Sequence, residues 1–405
     1  MMKRMIIIAA VALVASSAMA GNVGQKLSMI PPVGVDTASS GRALTSDGKY
    51  VVGLSGTAVG FSWEVGSPTA PIAIVGGGAW SFTTATGLGY RNVGGVKELV
   101  AHGMSAGYSS TVYSTNGGAY WEKGMRATVG VGSAPGIGAA STLGALGVDD
   151  SWYSGWKSDS TSSATMYVEK VNGSPPALVS RDSKGTTQTS GITGTSGTGK
   201  AVGMRKGDGT NNYNTRWQYN GTGGATQTYF NGLSGNSFGQ AWAVSADGNK
   251  IFGMSAVSGG RTGNWPYMRD EVANTIVELP RQSTLSGSVT NALPYGASAD
   301  GRWAVGMDYQ GMERAVLWDT LNMKVIDLTK YAIANNILDG FTGNLRRGYS
   351  VGVNAQGQPV VTGQGVWYAK GSTVAYTRGF VLTVPEPGTM AFLVLGGLAL
   401  LRRRR

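Results

Sequence analysis

The chain has 405 residues, of which 65 are glycine, one is histidine and none is cysteine; 14% are charged, with a formal net charge of +11. Without cysteine there is no disulfide framework, thiol nucleophile or thiolate metal site. Lys3, Arg4 and Arg402 to Arg405 supply six of the positives, which leaves +5 for the rest; with no Lys or Arg run outside the C-terminus, the electrostatic footprint of a nucleic-acid binder is missing.

The first twenty residues read as a secretory signal peptide. Lys3 and Arg4 form a positive n-region, Met5 to Val14 an apolar h-region, and Ala18-Met19-Ala20 a small-residue cleavage site before Gly21. Export through the translocon is the expectation, with a body over residues 21–383 and a distinct C-terminal segment over 384–405. A body of that length exceeds the usual single-core limit unless it is built as a repeat or ring.

The body repeats. A short apolar strand ending in glycine recurs seven times, with anchors Gly53, Gly103, Gly155, Gly203, Gly253, Gly306 and Gly363 at a nearly constant spacing whose last step is the longest. Asp47-Gly48, Asp247-Gly248 and Asp300-Gly301 each stand just ahead of an anchor, and Asp-Gly between apolar runs is a strong hairpin signal. A large residue returns after each anchor: Trp63, Trp121, Tyr167, Trp217, Met268, Trp318 and Phe380, which fits a third strand with these side chains in the cores. Copies one, five and six are clear and the others degenerate. The clear copies resemble the extracellular HAF repeats, whose pattern of Ser-x-Asp-Gly, then Val-Gly, then a later Trp implies propeller blades.

The predicted fold class is therefore all-β, a seven-bladed β-propeller-like repeat, with tandem β-sandwiches as the alternative. Gln25 to Val35 is expected to give the last blade its closing outer strand, Pro31-Pro32 arguing for an edge. Thr186 to Thr198 reads as a loop or weak blade, and Leu321 to Leu338 as a helix between the last two blades.

Few residues suggest catalysis. His102 falls inside an anchor strand, and Asp47, Asp247 and Asp300 are explained as turn formers. Asp208 to Asn214 alternates oxygen ligands but lacks the glycine and terminal glutamate of an EF-hand loop, so neither a metal nor a cofactor is expected. A carboxylate-pair glycosidase or lyase stays open as the alternative, since two acids about 5 to 10 Å apart suffice. Aromatic rings are the better binding candidates. Trp80, Trp152, Trp156, Trp242, Trp265 and Trp367 lie outside the core register and are the candidates for stacking on sugar rings.

At the C-terminus, Pro385-Glu386-Pro387 precedes an apolar run from Met390 to Leu401 and then Arg402, Arg403, Arg404 and Arg405. As a helix, Thr389 to Leu401 spans only about 20 Å against a ~30 Å hydrocarbon core, and the arginines resist crossing. This order resembles the PEP-CTERM sorting tail. The resemblance implies a membrane transpeptidase, the exosortase, as transient partner cutting near Pro385-Glu386-Pro387. It also implies a brief inner-membrane anchor retained by the arginines, then release to the surface or extracellular matrix of a Gram-negative, polysaccharide-producing cell. The expected role is a non-enzymatic binding or scaffold module for exopolysaccharide or outer-surface glycans.

Overall fold

The computed structural model describes residues 26–385 apart from 58, 75–83, 94–95, 106–107, 115–125, 128–151, 159–163, 171–176, 181–190, 207–211, 220–224, 237, 257–262, 283–290, 310, 339 and 342–343. Its strands pair antiparallel and neighbour to neighbour in sequence apart from two links: the first and last strands pair with each other, and a single parallel bridge between Asn264 and Asn291 joins two four-stranded groups into one eight-stranded sheet. Group 1 holds Ser39–Leu44, Tyr50–Ser55, Val59–Glu64 and Ile72–Ala73; group 2 holds Thr84–Val93, Val96–Ser105, Tyr108–Ser114 and Arg126–Ala127. Group 3 shows three strands among the described residues, Trp152–Ser158, Ala164–Lys170 and Ala177–Ser180. Group 4 holds Gly191–Thr195, Lys200–Lys206, Asn212–Tyr219 and Ala225–Tyr229, and group 5 Gly239–Val244, Lys250–Ala256, Asn264–Asp270 and Thr275–Glu278. Group 6 holds Asn291–Ala297, Trp303–Tyr309, Glu313–Asp319 and Lys324–Asp327; group 7 holds Asn344–Val353, Pro359–Tyr368 and Ala375–Thr383.

The outer strand of group 7 comes from the other end of the chain. Leu27–Ile30 pairs antiparallel with Ala375–Thr383, Leu27 opposite Leu382 and Ile30 opposite Gly379, so the closing strand expected within residues 25–35 forms and stops before Pro31. Group 7 then packs on group 1, as groups 4, 5 and 6 pack on their successors. This succession of small sheets is propeller-like, and the tandem-sandwich alternative is not met.

The recurring glycine has a packing reason. In groups 1, 2, 4, 5, 6 and 7 the first strand bulges opposite the anchor, which sits on the second strand. The bulge turns a backbone carbonyl toward the anchor: a Cβ on Gly306 would meet the carbonyl of Leu293, and one on Gly53 the carbonyl of Ser40.

The Ser/Thr-x-Asp-Gly turn is equally local in origin. The hydroxyls of Thr45, Ser245 and Ser298 donate to Asp47, Asp247 and Asp300 at 2.6 Å and accept the amides of Tyr50, Lys250 and Trp303, while Gly48, Gly248 and Gly301 take positive φ. Burial alone would raise the Asp247 carboxyl, but the bonds from Ser245 and Asn249 outweigh it and hold its pKa below the usual carboxylate range. Two copies that read as degenerate make the same turn. Ser196 pairs with Thr198 in place of the aspartate at 2.9 Å, and the Asn354 carboxamide accepts from Gln358 at 2.9 Å. The turns then bond one another: Gly197 donates to Ala246, Ala246 to Ala299, and Val353 to Ser46.

The returning aromatics fill the cores as expected where described. Trp63, Trp217, Trp318 and Phe380 are buried on third strands, with Trp63 Nε1 donating to Thr69 at 2.9 Å and Trp318 Nε1 to Pro280 at 2.8 Å. Trp121 and the side chain of Tyr167 lie outside the described residues, and Met268 is half-buried against the core between groups 5 and 6.

Two element expectations are corrected. The helix predicted over Leu321 to Leu338 shrinks to Leu328–Ala334: Leu321 to Met323 turn, with Met323 at φ 48°, and Lys324–Asp327 pairs as the outer strand of group 6 before Asp327 caps the helix. Pairing to Glu313–Asp319 outcompetes helical periodicity there. Within Thr186 to Thr198, read as a loop or weak blade, the loop alternative gives way over Gly191–Thr195, which is the first strand of group 4, held by Lys200–Lys206 despite its polar composition.

Candidate functional site

Each bulge leaves one residue of the first strand unpaired: Arg42 in group 1, Trp242 in group 5, Tyr295 in group 6 and Tyr349 in group 7. Their first strands pack in succession, so these four side chains meet although they come from four groups. The Trp242 and Tyr295 rings stand edge to face with centroids 5.4 Å apart, Tyr295 and Tyr349 lie 5.6 Å apart at 40°, and the Arg42 guanidinium sits 4.4 Å from the Tyr349 ring centre. All four are half-buried. Beside them Arg347 pairs with Glu313, a bond that raises the Arg347 pKa further above its ordinary value.

The surroundings are partly desolvated. Burial pushes the Tyr295 hydroxyl up to about 12, opposed by Arg347 and Arg42 and reinforced by Tyr349 and Glu313. The Trp242 Nε1 is buried with no hydrogen-bond partner. Arg42 has no carboxylate partner among the described residues. Three adjacent rings, two guanidiniums and one carboxylate leave this arc with a net positive charge. Such a surface can stack on sugar rings and take an anionic group in a planar, two-point contact.

Of the tryptophans singled out from sequence, Trp242 joins the arc, and it is the only one to do so among those whose side chains are described. Arg281 lies over the Trp265 ring at 4.9 Å and is itself held by buried Asp308, so this ring takes part in a clamp between groups 5 and 6. Trp367 lines a cavity of about 670 Å³ with Gly340 and Lys370, and Arg378 covers its ring at 5.5 Å. Trp80 and the side chains of Trp152 and Trp156 lie outside the described residues, as do Ala18, Ala20, Gly21, Glu386, Pro387 and Arg402 to Arg405. Pro385 is the last residue described.

Sequence reasoning missed Arg42, Tyr295, Tyr349 and Arg347, and counted Glu313 only among the acids scattered without a motif. One signal was available: Arg42, Trp242 and Tyr295 each stand three residues before the Ser or Thr of the repeated turn.

Several of the acids hold strand groups together. Glu271 gathers Arg216, Arg269 and Lys200 between groups 4 and 5, Asp308 binds Arg281, and Asp327 caps the helix and binds Arg314. Within the segment weighed for calcium, residues 207–211 are outside the described residues, and Asn214 is buried with its carbonyl accepting from Tyr267 at 2.8 Å. Among the described residues, no three His, Asp or Glu side chains gather as a metal site.

Residues 383–405 match the PEP-CTERM protein-sorting motif. That motif implies an exported protein processed by exosortase, with a transient membrane anchor. No helix among the described residues is long and apolar enough to cross a membrane. No curated protein matches the chain. Among solved structures, it is similar to oligogalacturonate lyase from Vibrio parahaemolyticus at 10% identity, over 90% of this chain and 98% of that one, with a TM-score of 0.51. It is also similar to TolB from Acinetobacter baumannii, at 13% identity, 72% and 63% coverage and TM-score 0.42. A Mycobacterium tuberculosis puromycin-hydrolyzing peptidase matches at 15% identity, 80% and 49% coverage and TM-score 0.45. The chain thus spans less than two thirds of that TolB and about half of that peptidase. At these identities the likeness is one of fold: the body is β-propeller-like.

Proposed function

We propose that the body is a non-enzymatic glycan-binding module, its seven strand groups closed into one ring, delivered by its sorting tail to the surface or extracellular matrix of a polysaccharide-producing Gram-negative cell. The observation that carries this reading is the arc of Trp242, Tyr295, Tyr349 and Arg42. Aromatic faces give sequence-tolerant stacking on sugar rings, and repeated weak contacts along one polymer add up through high effective concentration. With no carboxylate on Arg42 among the described residues and only Glu313 contributing negative charge, an acidic exopolysaccharide fits the arc better than a neutral one. The mature secreted protein, probed on a glycan array and then by calorimetry against its best polysaccharide hits, tests the reading. Trp242→Ala and Tyr349→Ala are each expected to weaken binding about tenfold, the loss of one well-stacked ring. Unchanged binding in both variants refutes the arc as the site. Release of new reducing ends, lost in Glu313→Gln, would replace the binding role with the glycosidase or lyase alternative.

A further inference from the structure

The sorting tail leaves the folded body with almost no slack. Thr383 is still in the last strand, its amide donating to Lys26 at 3.1 Å, and Val384 is buried with its amide on Pro359 at 2.9 Å. Four residues, Pro385 to Gly388, separate Val384 from the start of the apolar segment at Thr389. The five steps from Val384 to Thr389 reach at most about 18 Å when fully extended. The headgroup layer on one side of a bilayer is itself roughly 5 to 8 Å deep.

The place where the tail leaves is fixed as well. Thr383 pairs with Val360, next to the Asn354 to Gly357 turn of group 7. That turn lies on the same face as the Ser/Thr-x-Asp-Gly turns, because Val353 donates to Ser46 in group 1 and a Cβ on Gly352 would meet Thr45 and Gly48. The same face carries the outer hairpin tips Val272, Leu321 and Met323, which are 78%, 71% and 41% exposed. At the root of the tail is a cavity of about 380 Å³ lined by Lys26, Asn354, Gln356 and Gln358 together with the apolar Val65 and Val381.

We propose that, while the tail is attached, the turn-bearing face lies against the phospholipid headgroups, with Lys26 and the Asn354 to Gln358 turn at the lipid surface and the Leu321 tip in the interface. The opposite ends of the strands, which carry Met312 and Val374, then face away from the bilayer. Strands of seven residues put those ends roughly 23 Å further out. The tether sets this orientation, and the same geometry keeps Pro385 to Pro387 at the membrane surface, where a membrane-embedded processing enzyme must reach them.

The chain has no cysteine, so single-cysteine labelling is unambiguous. Full-length protein with its tail, reconstituted in phosphatidylglycerol/phosphatidylethanolamine vesicles, carries a fluorophore at Leu321→Cys or Gln356→Cys on the turn face, or at Met312→Cys or Val374→Cys on the far face. Nitroxide lipids labelled at the headgroup are the quencher. All four positions are exposed, so labelling leaves the core intact, and an unchanged far-ultraviolet circular dichroism spectrum checks each variant. At least threefold stronger quenching is expected at the turn-face positions. A ten-residue Gly/Ser insertion between Val384 and Pro385 is expected to abolish the difference. Equal quenching on both faces, or a difference that survives the insertion unchanged, overturns the proposal. Shielding of the turn face in cells but not in vesicles would assign it to a protein partner and overturn it too.

Discussion

The anchor glycines provide the sharpest test of how the repeat is built. In Gly306→Ala the new Cβ would stand 2.7 Å from the carbonyl carbon of Leu293 and 2.9 Å from the Cα of Pro294, and nearer still to the Leu293 oxygen. Ordinary separation between such atoms is roughly 3.5 Å. All the obstructing atoms are backbone, so no side chain can swing away; the first strand must move or lose its bulge, and the Tyr295 that the bulge displays moves with it. Overpacking a rigid site costs about 3 kcal/mol, the upper end of the usual range. Gly311→Ala is the control: its φ is +80° but nothing lies within 4 Å, so only the backbone penalty of about 1 kcal/mol applies. Urea unfolding of both variants, compared at a common m-value, reads the difference. If Gly306→Ala costs no more than Gly311→Ala, the bulge does not explain the repeat and the glycine period needs another cause.

The Glu271 side chain is 7% exposed among Arg216, Arg269 and Lys200, whose pKa values burial lowers, so Glu271→Gln leaves three cations without their carboxylate. It is expected to destabilise the protein by about 3 kcal/mol in urea, and a loss under about 1 kcal/mol would mean the cluster relaxes into water. Tyr90 reaches across from group 2 to donate to both Asp47 oxygens, at 3.1 and 2.9 Å. Tyr90→Phe should cost about 1.5 kcal/mol, and a double-mutant cycle with Asp47→Asn should show coupling; strict additivity would deny the bridge. For Tyr295 the folded pKa is raised to about 12 from 10.0, so its stabilisation is complete below pH 10 and is lost as the pH rises through 12. Tyr295→Phe should therefore flatten the fall in stability between pH 10 and 12, and an unchanged alkaline slope would contradict its burial.

Much of the fold was legible because each strand group is a local solution. A bulge opposite a glycine and a hydroxyl-aspartate turn are both decided within one hairpin, so they recur visibly as Asp-Gly and Val-Gly signals. Ser196-Gly197-Thr198-Gly199 and Asn354-Ala355-Gln356-Gly357 escaped because Thr198 and the Asn354 carboxamide satisfy the same donors with different side chains. Gly191–Thr195 escaped because a Gly/Thr segment becomes a strand only when a neighbouring strand pairs with it. The predicted helix was too long because Lys324–Asp327 had a sheet edge to complete. The tryptophan candidates were chosen one at a time, whereas the arc joins side chains from four separate strand groups, and Arg281 covers one of the chosen rings.

By itself the sequence determined the sorting motif, the all-β class and the period, since apolar runs, turn chemistry and charge clusters act over short stretches of chain. Only the tertiary structure decided which strand closes the last group, which rings stand in contact and which face the tail leaves. Those outcomes depend on bringing Leu27 to Leu382 and Arg42 to Tyr349, contacts that join the two ends of the body and whose geometry no local pattern encodes.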